Sequence, residues 1–269
     1  MTAPRRWAGY ALDLDGTVYL GDELLEGAAA AVEGLRRGGA RIVFVTNKPL
    51  HTSAEYAAKL TDLGIPCAPE DVVTAVDALV RYLAANHAGR RVLTISEDVV
   101  RDRLLAAGFS VTEAPESAEV VVVSFDRTFS YDKLHAGYRA VRENGAVIVA
   151  TNPDPYCPTP DGGLPDCAAM LAALEACTGA RAEAIVGKPS RHMAETFLER
   201  LALEPADVAV VGDRIATDVA MGQSIGAAGI LVLTGATTAA EAGSDPIKPD
   251  LVLSGLHELL TDDLTGAAR

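Results

Sequence analysis

Cationic side chains are scarce in this chain relative to anionic ones. Lys and Arg number 23 against 37 Asp and Glu, a formal net charge of −14 over 269 residues. Binders of nucleic acid or of anionic membranes carry a basic footprint, so this balance argues against both as partners. Aromatic residues make up only 5% of the chain, with one Trp, which leaves few platforms for stacking a base. The four cysteines, Cys67, Cys157, Cys167 and Cys177, contain no Cys-x-x-Cys pair. A zinc site is therefore not expected, and free thiols fit an intracellular protein. No apolar run reaches the roughly 20 residues of a membrane span, and Met1 to Arg6 lacks the form of a signal peptide. A cytoplasmic protein is the expectation. Short-period repeats and low-complexity segments are also missing.

What is present is an alternation of helical and strand patterns. Helices are suggested at Ala28 to Arg37, Thr52 to Leu63 and Ala75 to Ala85. Apolar strands recur at Arg91 to Ile95, Val120 to Ser124, Val147 to Ala150, Val208 to Val211 and Ile230 to Leu233. Such alternation predicts a parallel sheet sandwiched between helices.

Four of the strand ends carry polar residues in a pattern. The first is Asp13-Leu14-Asp15-Gly16-Thr17, which follows the apolar run Gly9 to Leu12. Carboxylates two apart at a strand end point the same way, because side chains alternate along a strand. Gly16 allows a sharp turn directly after them. Crowded carboxylates repel, and the remedies are a shared proton or a bound cation. The hard cation that oxygens would hold here is Mg²⁺. One carboxylate attacking an electrophile while the other handles a proton is the chemistry such a pair suits. Asp-x-Asp-Gly is also an ordinary turn sequence. A calcium loop is a third reading, but Glu23 does not fall where that loop needs its acid.

The second end is Thr46-Asn47, after Ile42 to Val45. A hydroxyl and an amide can both donate to a phosphate oxygen without adding charge. The third is Gly187-Lys188-Pro189-Ser190, where the ammonium can neutralise an anion and Ser190 can cap a helix over Met193 to Leu203. The fourth is Gly212-Asp213-Arg214-Ile215-Ala216-Thr217-Asp218 after another apolar strand. A helix starting near Thr217 would put Asp218 in its first turn, where a carboxylate is also stabilising on electrostatic grounds alone.

Strand ends delivering Asp, Asp, Thr, Lys, Asp and Asp in that order closely resemble the haloacid dehalogenase (HAD) superfamily of phosphohydrolases, over nearly the whole chain. The details look like the NagD-like branch: Thr46-Asn47, Gly187-Lys188-Pro189, Gly212-Asp213-Arg214 with Thr217-Asp218, Thr151-Asn152-Pro153-Asp154 and Thr234-Gly235. The fold implied is α/β, a Rossmann-like parallel sheet core with an inserted α/β cap domain. About 140 residues separate Thr46 from Lys188, whereas a crossover needs only a dozen or more. The cap is expected at 78–179, and a discontinuous core at 1–77 and 180–269. The insert's position resembles that of a type IIA cap.

The resemblance implies a Mg²⁺-dependent phosphomonoesterase acting on a small phosphorylated metabolite. Asp13 would attack phosphorus, and Asp15 would protonate the leaving group and then deprotonate water. Mg²⁺ would be held by Asp13, the Asp15 backbone carbonyl, Asp213 and Asp218. Thr46 and Lys188 would hold the phosphoryl oxygens, with Gly16 and Asn47 lining the substrate. Lys48 would bind a second anionic group or be solvated. Asp166 reads first as the N-cap of a helix over Ala168 to Cys177, and second as a contact for a polyol or an amine. Many relatives read Pro-Gly-Ala-Gly where this chain has Pro165-Asp166-Cys167-Ala168, and Asn-Ser where it has Lys48-Pro49. The few aromatics favour a sugar or polyol phosphate over a nucleotide or pyridoxal phosphate. Asp15 favours an alcohol leaving group over a halide, and a mutase keeps that acid too. A homodimer through the cap is one arrangement left open. A phosphoacceptor signalling domain also uses acids, Thr and Lys at sheet tips, but would not need an insert of this size.

Overall fold

The computed structural model describes residues 7–157 and 163–261. Met1 to Arg6 and the middle of the 152–168 segment lie outside the described residues. The chain forms two compact units, one from 1–46, 53–73 and 188–269, the other from 47–52 and 74–187.

The first unit is built on a six-stranded sheet in the order Leu251–Leu253, Ala228–Val232, Val208–Gly212, Gly9–Asp13, Arg41–Thr46, Val72–Thr74. Gly9–Asp13 is central and pairs in parallel with both neighbours. Every residue of Gly9–Asp13 and Val208–Gly212 is buried, as expected for strands covered on two faces. One face packs Leu12, Phe44, Leu60 and Val211 into a core. Ile215, Val219, Leu231 and Ala242 form a separate cluster. Helix Ala28–Arg37 buries Ala28, Ala31, Val32 and Leu35, the spacing of one helical face.

The register fixes where the chemistry gathers. Asp13 pairs with Val45, so Thr46 ends its strand one residue beyond that level. Leu12 pairs with Val211, which brings Gly212-Asp213 to the same edge. From Gly9–Asp13 the chain moves to one side through Arg41–Thr46 and later returns on the other through Val208–Gly212. The crevice at such a reversal, beyond the carboxyl ends of parallel strands, is where open α/β sheets bind ligands.

The second unit has a five-stranded sheet, Ala184–Ile185, Val147–Ala150, Val120–Val123, Arg91–Ile95, Ser110–Val111, all paired in parallel. Its own core gathers Ile95, Val121, Val123, Ile148, Leu171 and Leu174. Helix Ala75–Asn86 opens it with a capping box, Thr74 and Asp77 each bonding the other's backbone N–H. The unit includes that helix from Ala75 and, at its other end, the strand Ala184–Ile185. Among the described residues, no helix is long and apolar enough to cross a membrane.

Candidate active site

Asp13 is the last residue of the central strand, and the residue is 8% exposed. The chain turns immediately after it. Gly16 takes φ +80°, where a side chain would be strained, and a Cβ there would lie 2.6 Å from Asp213 Oδ2. Asp15 lies in this turn, half-buried, beside Tyr19, whose carbonyl accepts from Gly16 N–H at 2.8 Å. Burial and then the Asp15 charge hold the Tyr19 hydroxyl far above its ordinary pKa, so it stays neutral.

Lys188 comes from the segment that returns from the second unit and is 4% exposed. Its ammonium donates to Asp13 Oδ1 and, at 2.7 Å, to Asp218 Oδ1. Burial works against the lysine's charge, but Asp13 and Asp218 outweigh it and raise the pKa, so the ammonium persists. Ser190 caps the helix Arg191–Leu201 by accepting from His192 N–H at 3.1 Å.

Asp213 and Asp218 follow the strand Val208–Gly212. The expected helix start near Thr217 is instead a π-helical turn, Ile215–Val219, leading into Ala220–Ser224. The wide turn leaves Asp218 1% exposed. Its Oδ2 accepts from Thr217 Oγ1 at 3.1 Å and from Arg214 N–H at 3.3 Å. Asp213 Oδ2 accepts from Ala236 N–H at 2.6 Å. Gly212 and Gly235 are required by close approach: a Cβ on the first would collide with the Asp218 carboxyl, and on the second with that of Asp213.

Carboxylate oxygens of Asp13, Asp213 and Asp218 lie within 4.8 Å of one another. Burial pushes the Asp13 carboxyl up, with Lys188 opposing; burial and then Asp218 raise Asp213. A buried set of three acids facing one ammonium has unmet negative charge. Its all-oxygen donors, with no imidazole or thiol, fit Mg²⁺ rather than a softer ion.

Two threonines have partners at the site that their motifs did not foretell. Thr17 Oγ1 donates to Asp13 Oδ2 at 3.3 Å, and Thr234 Oγ1 to the Gly16 carbonyl at 2.6 Å. The signal for Thr17 was its place directly after the first acidic pair, and for Thr234 its place just beyond an apolar strand. Thr46 is 3% exposed at its strand end. Asn47, Lys48 and Asp166 all belong to the second unit. The Asn47 amide donates to Asp154 Oδ2 at 2.9 Å. Asp166 caps the helix Cys167–Thr178, accepting from Cys167 N–H at 2.6 Å, and is 3% exposed. Its carboxylate is thus occupied by a structural bond, in line with the first of its two readings. Lys48 acts on it electrostatically, lowering its pKa.

Residues 10–110 match the family model for haloacid dehalogenase-like hydrolases, and residues 185–259 match a second, HAD-hydrolase-like model. Sugar-phosphatase AraL of Bacillus subtilis is 36% identical over 253 residues, 94% of this chain and 92% of the relative. Among solved structures, the 4-nitrophenylphosphatase of Thermotoga maritima superposes with a TM-score of 0.90 at 33% identity, covering 94% of this chain and 96% of that one. The glycerol phosphate phosphatase of Mycobacterium tuberculosis, solved in complex with magnesium, gives 0.88 at 31% identity over 97% of this chain and 78% of that one. A match running almost end to end, on top of the four strand-end segments, places the chain in a family: it belongs to the haloacid dehalogenase-like hydrolases, in their NagD-like branch.

Proposed function

We propose that this phosphatase hydrolyses monoesters of small sugar or polyol phosphates through an aspartyl-phosphate on Asp13. The observation that carries the reading is the convergence of Asp13, Lys188, Asp213 and Asp218 at the end of the central strand. The sugar and glycerol phosphatases among the relatives support the substrate class.

An Asp13 oxygen attacks phosphorus, and the bond from phosphorus to the ester oxygen breaks. Asp15 gives its proton to the departing alkoxide. Its exposure, greater than that of Asp13, suits a group that must exchange protons with the leaving group and with water. Asp15 then takes a proton from water as that water attacks phosphorus, and the acyl-phosphate bond breaks to return Asp13 and release inorganic phosphate. Splitting the displacement in this way is what a covalent nucleophile achieves. Thr46 and Lys188 grip the phosphoryl oxygens, and the ammonium offsets their charge. Thr17 restrains the Asp13 carboxylate through its hydrogen bond. Asp13, Asp213 and Asp218 would hold Mg²⁺, with the Asp15 carbonyl as a further oxygen. When bound, the ion supplies positive charge that keeps the carboxylates ionised and neutralises the phosphoryl group.

The test is a panel of phosphorylated metabolites assayed with Mg²⁺ and ranked by kcat/KM. Sugar and polyol phosphates should lead nucleotides and pyridoxal phosphate. Nucleotides at the head of the ranking would overturn the substrate class. One stoichiometric equivalent of stable acyl phosphate, without turnover, would overturn the enzyme in favour of a phosphoacceptor.

A further inference from the structure

The residues beside Thr46 and Lys188 share one anchor, and it is not in the catalytic sheet. Asn47, directly after Thr46, is held twice. Its side-chain amide donates to Asp154 Oδ2 at 2.9 Å, and its backbone carbonyl accepts from Asn152 Nδ2 at 3.2 Å. Gly187, directly before Lys188, donates its N–H to the Thr151 carbonyl at 2.7 Å. Thr151, Asn152 and Asp154 lie just beyond the strand Val147–Ala150 of the second unit. Of the four points where the chain passes from one unit to the other, the two beside Thr46 and Lys188 are therefore bonded to one four-residue segment.

That segment is built as a rigid post. Thr151 and Asn152 are fully buried. Thr151 Oγ1 shares a hydrogen bond with Ser124 Oγ at 2.8 Å, and Asn152 Oδ1 accepts from Asp154 N–H at 3.0 Å. The Asn152 amide has a second, long contact to Asp166 Oδ1 at 3.5 Å. Packing around Gly187 is close enough that a Cβ there would lie 2.6 Å from Asn47 Oδ1 and 3.1 Å from Asn152 Cβ, and would collide with the Thr151 carbonyl. Asn47 and Gly187 thus lie close to each other as well as to the post.

We propose that Asp154 and Asn152 are positioning residues: through Asn47 and Gly187 they fix the spacing between Thr46 and Lys188. This rests on the reading of Thr46 and Lys188 as the groups that grip the phosphoryl oxygens. Chain adjacency carries the effect. A residue whose neighbour is pinned on backbone and side chain has little freedom to shift its own hydroxyl, and the same holds for Lys188 behind a glycine wedged among three residues. Small misplacements of such groups cost rate out of proportion to their size. The grip is common to every substrate, so its loss acts on all of them alike. A residue that touched the leaving group would act selectively.

The experiment compares Asp154→Ala with Asp154→Asn, whose amide oxygen can still accept from Asn47, and adds Asn47→Ala and the double variant. Asp154→Ala should lower kcat at least tenfold on an aryl phosphate and a sugar phosphate alike, leaving their ratio unchanged. It should weaken binding of inorganic phosphate, measured by calorimetry, to a similar degree. Asp154→Asn should recover most of both. In the Asn47→Ala background, Asp154→Ala should add little, since coupled residues are non-additive. A lowered melting temperature with kcat and phosphate affinity unchanged would overturn the proposal, as would full additivity. A shift in the substrate ratio would overturn it in favour of a leaving-group contact. If the wild-type protein turned over no phosphate ester but the phosphate-affinity loss persisted, the positioning role would stand and the catalytic reading would fall.

Discussion

Asp213 shows how much of this site depends on residues without side chains. Its carboxyl lies where a Cβ on Gly16 or Gly235 would have to be, and Ala236 N–H fixes one of its oxygens. Gly235→Ala should therefore displace the carboxyl and weaken Mg²⁺ binding at least tenfold by calorimetry; unchanged affinity would show that Asp213 is not a ligand. The excess of buried carboxylate over ammonium charge makes a second prediction. Mg²⁺ should raise the melting temperature, because an ion that binds only the folded chain stabilises it by about 2.7 kcal/mol at a hundred times its dissociation constant. Asp213→Asn should largely abolish that shift. A shift equal to that of the wild type would place the ion elsewhere.

At the scale of elements, the helix Cys167–Thr178 carries a pH signature. Burial pushes its cap, Asp166, up to about 6, with the Cys167 N–H bond opposing and Asp154 assisting. An unfolded aspartate titrates near 3.9. Between roughly pH 4 and 6 the folded chain therefore binds more protons than the unfolded one, and stability falls as pH rises through that window. Asn keeps the cap but cannot titrate. Relative to Asp166→Asn, the wild type should lose on the order of 1–2 kcal/mol from pH 4 to pH 6 in denaturant titrations. Parallel pH profiles would contradict the assignment.

Elements also mark what the sequence could and could not convey. Strand ends were legible because a run such as Val208–Val211 followed by Gly-Asp breaks hydrophobic pattern abruptly. The Asp166 and Ser190 caps were legible because capping is local chemistry. The π-turn at Ile215–Val219 was not, since one widened turn changes no residue type and barely alters periodicity. Nor was the partner of Asn47, because Asp154 lies 107 residues away and no local pattern reports so distant a bond.

For the whole molecule, a net charge of −14 means that an anionic substrate is drawn by the site and not by the general field. Each of the two units has a hydrophobic core of its own. The central claim is that Asp13 carries the phosphoryl group. Its most direct test is mass spectrometry of the Asp13 peptide after rapid acid quench of a turnover mixture. The account predicts a phosphorylated Asp13, lost in Asp13→Asn together with activity while the fold persists. An unmodified Asp13 peptide, with Asp13→Asn turning over at near wild-type rate, would contradict it.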